Sequence, residues 1–218
     1  MCKAYAAEAI ATFTLIFVGG AAILAGTGTL GIALAHGLAI AAMVYAVAHI
    51  SGAHINPAVT IAMWATKKIK AQMAAGYVVS QLAGATVGAL ALGFIYGNVA
   101  PVVNNLAPTV SMTTGLFVEV ILTFLLVFVI FATVVDKSNK SGHAALAIGF
   151  VIIFDHIIGL SLTGASMNPA RTFGPALVSG MWTNHLIYWV APIVGALIAA
   201  FAYQYVFLSE KVKALKKK

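Results

Sequence analysis

GAHINPAVT at residues 52–60 returns later in the chain as GASMNPART at residues 164–172. The two stretches share Gly, Ala, Asn, Pro, Ala and Thr, and Asn56 and Asn168 lie 112 residues apart. A second matching pair, EAIATFTLIFV from Glu8 and EVILTFLLVFV from Glu119, has an offset of 111 residues. The chain is therefore predicted to consist of two copies of one unit. The first copy covers residues 1–110 and the second covers residues 111–218.

The amino-acid composition is that of a protein surrounded by lipid. Of the 218 residues, 62% are apolar and 8% are charged, whereas a soluble domain carries about 25% charged residues. Only α-helices and closed β-barrels satisfy their backbone hydrogen bonds in lipid. Barrel strands alternate in polarity over about ten residues. The apolar runs of this chain are long and unbroken, so they predict helices.

Six apolar segments approach the length of about 20 residues that a bilayer requires. The two stretches that contain Asn-Pro-Ala are also apolar but too short to cross, and they predict half-helices at 57–66 and 169–179. Three spanning helices per copy turn the second copy upside down. We therefore expect an all-α membrane protein with six transmembrane helices and two re-entrant half-helices in an inverted repeat. The predicted spans are 4–25, 31–50, 71–96, 115–135, 143–162 and 184–208.

The net charge of +7 arises from residues at the ends of apolar segments, which argues against a nucleic-acid partner. An excess of lysine in short loops marks the cytoplasmic side of a membrane protein and favours contact with anionic lipid. Both termini are therefore expected to be cytoplasmic in this integral, multi-pass protein. Apart from Arg171, the basic residues are Lys3, Lys67, Lys68, Lys70, Lys137, Lys140, Lys211, Lys213, Lys216, Lys217 and Lys218.

Each Asn-Pro-Ala motif has the chemistry of a helix start. Asparagine is a favoured N-cap, and proline suits the first helical turn, where a missing N–H costs nothing. A single such motif is typical of an ordinary turn, but two at matching positions predict that both helix starts meet at the membrane midplane. The amides of Asn56 and Asn168 would donate hydrogen bonds to a water oxygen there, and the positive dipole ends would repel a cation. The predicted half-helix starts are Pro57, Ala58, Pro169 and Ala170.

With HISGAHINPAVT at 49–60, GASMNPARTFGPA at 164–176 and the two glutamate segments, the chain resembles the aquaporins, or major intrinsic proteins, over essentially its whole length. The resemblance implies six tilted helices, a pore in each protomer and a homotetramer. It implies no cofactor, no metal and no enzymatic activity. The single cysteine, Cys2, leaves no internal disulfide and no cysteine cluster for a metal.

Arg171 is the only basic residue in an apolar setting, where a charge is expensive and usually functional. The alternative is an arginine that snorkels to the surface. The resemblance places Arg171 in the outer constriction of the pore, with His36, His156 and Ala165 at the other three positions of this selectivity filter. Packing within a helix bundle is the alternative role for each histidine.

Two features of the sequence differ in the solute that they favour. Strict water channels of the family usually have Phe at the position of His36, and some plant vacuolar members with His there are associated with ammonia. Glycerol-passing members usually have Asp at the position of Thr172 and a basic residue at that of Ala176. The small neutral residues found here resemble those of water channels.

Glu8 and Glu119 are carboxylates at equivalent positions of the two copies. The resemblance implies that each braces a re-entrant loop by accepting backbone hydrogen bonds, and a catalytic pair is the alternative. Asp155, beside His156, has no role that the family supplies.

The sequence thus predicts a passive channel that conducts water in single file and excludes protons and ions. A channel for ammonia or for a small neutral solute such as glycerol is the alternative within this class. A secondary transporter would need intramembrane carboxylates for ion coupling, and only Asp155 is uncommitted. An intramembrane hydrolase built on Ser166 would need an oriented base, and no pattern in the sequence supplies one.

The lysine distribution makes a testable prediction about topology. A membrane-impermeant label should reach the 97–114 loop from the outer face only, because the neighbouring lysine-rich loops are retained in the cytoplasm. Site-specific labelling of sealed right-side-out and inverted vesicles measures this. Label access to the 97–114 loop from the cytoplasmic face would reverse the predicted orientation.

Overall fold

The computed structural model describes residues 1–208, in which all regular secondary structure is helical. The basic tail at 211–218 lies outside the described residues. A short 3₁₀ turn at Ala100–Val102 interrupts the longest loop. The α-helices are α1 (Cys2–Leu24), α2 (Gly28–Ser51), α3 (Pro57–Ala65), α4 (Ala71–Tyr96), α5 (Met112–Ile130), α6 (Ala144–Thr163), α7 (Pro169–Ser179) and α8 (Ile187–Ala202).

Six of these helices are long and apolar enough to cross a membrane, which confirms the predicted fold class. Two of them continue beyond their α-helical part as π-helices, α5 through Phe131–Val135 and α8 through Tyr203–Leu208. The bundle is formed by α1 packing along α4, α5 along α8, and α2 against both α1 and α6. The division into two inverted copies at residues 110 and 111 stays a prediction.

The two remaining helices, α3 and α7, are too short to cross. They contain 9 and 11 residues, which at about 1.5 Å per residue gives roughly half of a hydrocarbon core. The amphipathic pattern of a soluble helix is absent from α3, where six of the nine residues are buried in the bundle. Both half-helices pack against spanning helices, α3 against α8 and α7 against α4.

The distribution of polarity is reversed relative to a soluble protein. Large apolar side chains cover the outside, and Phe94, Phe117 and Leu186 are among the most exposed. Ionisable groups such as Glu8 and Arg171 are buried inside the bundle. This arrangement is stable when the surrounding solvent is lipid, because the outer surface then needs no polar cover while the inner groups bond to one another.

Small residues allow the helices to approach one another closely. A side chain at Gly84 of α4 would overlap the Ala9 carbonyl of α1, and one at Gly195 of α8 would overlap the Val120 carbonyl of α5. Lipid offers apolar helices no hydrophobic reason to associate, so van der Waals contact between their backbones carries much of the packing energy.

Gly84→Ala is therefore expected to lower the thermal stability of the protein in detergent. Overpacking of this kind costs about 1–3 kcal/mol, since the obstruction is backbone and cannot rotate away. Gly93→Ala, in the same helix, is the matched control because a Cβ there meets atoms only at 3.7 Å and beyond. Scanning fluorimetry measures both variants. Equal melting temperatures for the two would show that the α1–α4 contact is not tight.

Candidate pore and filter

The two Asn-Pro-Ala motifs meet tip to tip through a pair of crossed hydrogen bonds. The Nδ2 of Asn56 donates to the Met167 carbonyl at 2.7 Å, and the Nδ2 of Asn168 donates to the Ile55 carbonyl at 3.0 Å. Each asparagine also caps its own half-helix, since its Oδ1 accepts from the N–H of Ala58 or Ala170. An amide nitrogen carries two hydrogens, so each side chain keeps one for a further acceptor.

The backbone before each asparagine is strained in the same way in both loops. Ala53 and Ile55 have φ angles of 51° and 58°, and Ala165 and Met167 have 48° and 54°. Residues with side chains rarely adopt positive φ, and a β-branched residue such as Ile55 does so least readily. Each such residue costs about 1–3 kcal/mol and persists only when its surroundings enforce it.

Glu8 supplies this enforcement in the first loop. Its Oε1 accepts from the Ser51 hydroxyl at 2.7 Å and the His54 N–H at 2.9 Å. Its Oε2 accepts from the Ile55 N–H at 2.6 Å and from Nε2 of Gln81 at 2.8 Å. The carboxylate is completely buried. Its four hydrogen-bond donors fix its position, and it holds the loop through the donors that the loop contributes.

Glu119 makes the corresponding contacts in the second loop. Its Oε1 accepts from the Thr163 hydroxyl at 2.7 Å and the Ser166 N–H at 2.8 Å, and its Oε2 accepts from the Met167 N–H at 2.8 Å. The two carboxylates contact different loops, and each is occupied with loop donors. The geometry offers no shared substrate position between them.

Arg171 and the two predicted filter histidines lie together. The Nε of Arg171 donates to Nε2 of His36 at 3.3 Å, and the imidazole centroids of His36 and His156 are 4.2 Å apart. All three side chains are nearly inaccessible. They come from α2, α6 and the first turn of α7, three elements that are far apart in sequence.

Hydrogen bonding assigns the tautomer of both histidines. The Nδ1 of His36 lies 2.9 Å from the Ile32 carbonyl, and that of His156 lies 2.9 Å from the Ile152 carbonyl. A carbonyl only accepts, so Nδ1 carries the hydrogen and Nε2 is left as an acceptor. The Nε2 of His36 accepts from Arg171, while that of His156 has no hydrogen-bond partner within residues 1–208.

Asn104, in the 97–114 loop, is a site residue that the sequence reasoning missed. Its Oδ1 accepts from Nη1 of Arg171 and from the Thr172 hydroxyl, and its Nδ2 donates to the Gly164 carbonyl at 2.9 Å. Asn104 thereby connects the 97–114 loop to Arg171. The sequence gives no signal that separates it from its neighbours Asn98 and Asn105.

Two cavities share Arg171 as a wall. One, of about 320 Å³, extends from Lys137 past the two asparagines to His36 and His156. The other, of about 340 Å³, opens on the opposite side and includes Asn104. Arg171 therefore lies between the two cavities, with His36 and His156 lining the first of them.

Ala165 lines neither of these two cavities, and its place in the filter stays a prediction. It is fully buried beside Gly159.

Asp155 is also fully buried, and neither of its carboxylate oxygens has a hydrogen-bond partner in the described part of the chain.

Comparison with known proteins gives the family. The family model described as Major intrinsic protein matches residues 1–203. The chain belongs to the major intrinsic protein family. The resemblance seen in the sequence is thereby confirmed, and this major intrinsic protein is an integral, multi-pass membrane protein.

Relatives of this major intrinsic protein come from animals, plants and a protozoan. Mouse aquaporin-4 is 44% identical over 94% of this chain and 67% of its own length, and rat aquaporin-4 is 49% identical over 81% and 56%. The chain thus spans between about half and two thirds of these animal proteins. The probable aquaporin TIP4-1 of rice is 38% identical over 96% of this chain and 88% of its own. The X-ray structure of the Plasmodium falciparum aquaglyceroporin superposes with a TM-score of 0.89 at 25% identity, over 98% and 99%.

The hydrogen bonds of Glu119 predict the effect of Glu119→Gln. The variant keeps the shape but directs an amide N–H₂ at backbone N–H groups that need an acceptor, which costs about 1–3 kcal/mol. Asp155→Asn is the matched control, since Asp155 is equally buried but has no such donors. Melting in detergent should fall for Glu119→Gln only. Equal losses for the two variants would mean that burial of a carboxyl group, and not the loop contact, sets the effect.

Proposed function

We propose that the chain is a passive channel that conducts water in single file and excludes protons and ions. The observation that carries the proposal is the meeting of two half-helix starts, with Asn56 and Asn168 lining a cavity that extends from Lys137 to Arg171. Nothing in this arrangement calls for a cofactor or a chemical step. The aquaporin names of the animal and plant relatives support a water channel.

The free amide hydrogens at the midplane give the mechanism of selection. A water molecule that passes Asn56 and Asn168 accepts hydrogen bonds from both, which orients its own hydrogens away from the midplane. The positive ends of the α3 and α7 dipoles point to the same place and oppose a cation or a hydrated proton. Strained loop carbonyls supply acceptors along the rest of the path.

Arg171 adds a second barrier at the filter. Its charge repels cations, and its guanidinium remains a donor to a passing oxygen. The free Nε2 of His156 is an acceptor in the same narrow place. A water molecule satisfies one donor and one acceptor at once, so its lost hydration is replaced.

Ammonia or a small neutral solute such as glycerol is the second candidate. His36 in place of the usual Phe favours it, and so does the likeness to a solved aquaglyceroporin. Against glycerol stand the small neutral residues Thr172 and Ala176, which resemble those of water channels. Ammonia is similar to water in size and is distinguished from it only by experiment.

We also propose the assembly and orientation that fit this function. Four copies would form a homotetramer with one pore in each protomer. Both termini would be cytoplasmic, with α3 entering from that side and α7 from the outside. The two halves of the chain would then be inverted copies related by an axis in the membrane plane.

Stopped-flow light scattering on proteoliposomes tests the proposal. Osmotic shrinkage should be much faster than in protein-free vesicles and should need no ion gradient, which separates a channel from a transporter. Glycerol entry and ammonia entry, measured on the same vesicles, decide between the two candidates. Shrinkage no faster than that of protein-free vesicles would reject a water channel.

Removing one filter ring should change the selectivity. His156→Gly is expected to raise glycerol uptake several-fold with water flux kept or increased, because the opening widens by an imidazole. His143→Gly, at the exposed start of α6, is the control and should leave both rates unchanged. Unchanged glycerol uptake in a His156→Gly protein that still conducts water would place the narrowest point elsewhere.

Removing the filter charge should weaken the outer electrostatic barrier. Arg171→Val is expected to allow a small proton or cation leak, which the midplane dipoles keep low. A pH-sensitive dye trapped in the vesicles measures the leak under a potassium diffusion potential. A tight Arg171→Val channel with normal water flux would show that the midplane alone excludes ions.

A further inference from the structure

An open groove lies at one end of the bundle, well away from the pore. Its volume is about 950 Å³, near the upper end of the range of about 300–1,000 Å³ for pockets that hold small molecules. It follows the turn between the end of α3 and the first turn of α4. We call it the lysine groove, and its side chains are Met1, Trp64, Lys67, Lys68, Ile69, Lys70, Ala71, Gln72 and Met73.

The lysine groove concentrates positive charge without compensation from its own walls. Lys67, Lys68 and Lys70 are exposed, and none of the groove-lining residues is acidic. The four acidic residues within 1–208 are all buried. Residues this close in a turn lie within the Debye length of about 8 Å, so salt does not fully screen their repulsion. An anion in the groove would relieve it.

The groove also has an apolar wall beside its lysines. Trp64 is 49% exposed, and Ile69 and Met73 are half-buried beside it. Tryptophan at the end of a membrane helix is typical of the interface between acyl chains and headgroups. The spanning helix α4 begins here without a side-chain cap, which adds the positive end of its dipole.

We propose that the lysine groove binds an anionic phospholipid, with the phosphate among the three lysines and the upper acyl chain along Trp64 and Met73. A free phosphate would use the lysines but not the apolar wall, whereas a zwitterionic lipid would use the wall but gain little from the charge. The proposal does not depend on which solute the pore conducts.

Trp64 provides a local reporter for this site. The other two tryptophans, Trp182 and Trp189, follow α7 and begin α8, so Trp182→Phe with Trp189→Phe leaves a single emitter. Lipids with brominated acyl chains quench tryptophan on contact. Two kinds of vesicle are compared: brominated phosphatidylglycerol with plain phosphatidylcholine, and plain phosphatidylglycerol with brominated phosphatidylcholine. The difference in Trp64 quenching between them gives the relative affinity of the groove for the two lipids. If the two Phe substitutions alter the protein, the Trp64 signal is obtained as the difference in quenching between the unchanged chain and its Trp64→Phe variant.

The expected result is a clear preference for phosphatidylglycerol, which weakens as salt is added. Each basic side chain at a lipid surface contributes about a fivefold increase in affinity, so Lys67→Gln, Lys68→Gln and Lys70→Gln together should reduce the preference at least tenfold. The corresponding triple Arg variant should retain it.

Lys137→Gln with Lys140→Gln is the matched control, since it removes charge from another loop and should leave the Trp64 signal unchanged. Equal quenching by the two lipids in the parent protein would overturn the proposal. An equal loss of preference in the control variant would also overturn it, because the lipid preference would then arise from the overall surface charge and not from the lysine groove.

Discussion

The crossed hydrogen bonds between Asn56 and Asn168 are the interaction on which the rest of the structure depends. Two half-helices that start at the same place bring two positive dipole ends together, and this is unfavourable unless each end finds an acceptor. Each asparagine provides one, by capping its own helix with Oδ1 while its Nδ2 reaches the carbonyl before the other asparagine. The remaining amide hydrogens face the space that a solute must cross.

Such an arrangement requires support from behind, and the two buried glutamates supply it. The two loops before the asparagines contain four non-glycine residues at positive φ, a conformation that a free chain would leave. Glu8 and Glu119 hold them through charge-assisted hydrogen bonds, which are worth roughly twice a neutral one. Asn104, in the 97–114 loop, holds Arg171 through a further hydrogen bond. The strained backbone, the buried carboxylates and the Arg171–His36 pair therefore form one connected unit surrounded by apolar helices.

Much of this unit was predictable from the sequence. The parts that could not be predicted escaped for different physical reasons. The apolar runs gave the spanning helices to within a few residues, because length and polarity alone specify them in lipid. The paired Asn-Pro-Ala motifs gave both half-helix starts, since capping chemistry is local. The role of Asn104 was not predictable, because an irregular loop has no periodicity that distinguishes it from Asn105. The contact between His36 and His156 depends on how α2 packs against α6, which the helix pattern does not fix; the family resemblance alone suggested it.

The basic residues of the chain fall into two groups with separate proposed roles: the loop lysines in topology and lipid contact, and the buried Arg171 in selection in the pore. We propose that Asn56 and Asn168 act directly on the passing molecule. A high-resolution X-ray map of the pore waters tests it most directly. We expect a water oxygen within about 3 Å of Nδ2 of both Asn56 and Asn168. A map in which no ordered water approaches either amide, or in which protein atoms occupy both hydrogens of each amide, would contradict it.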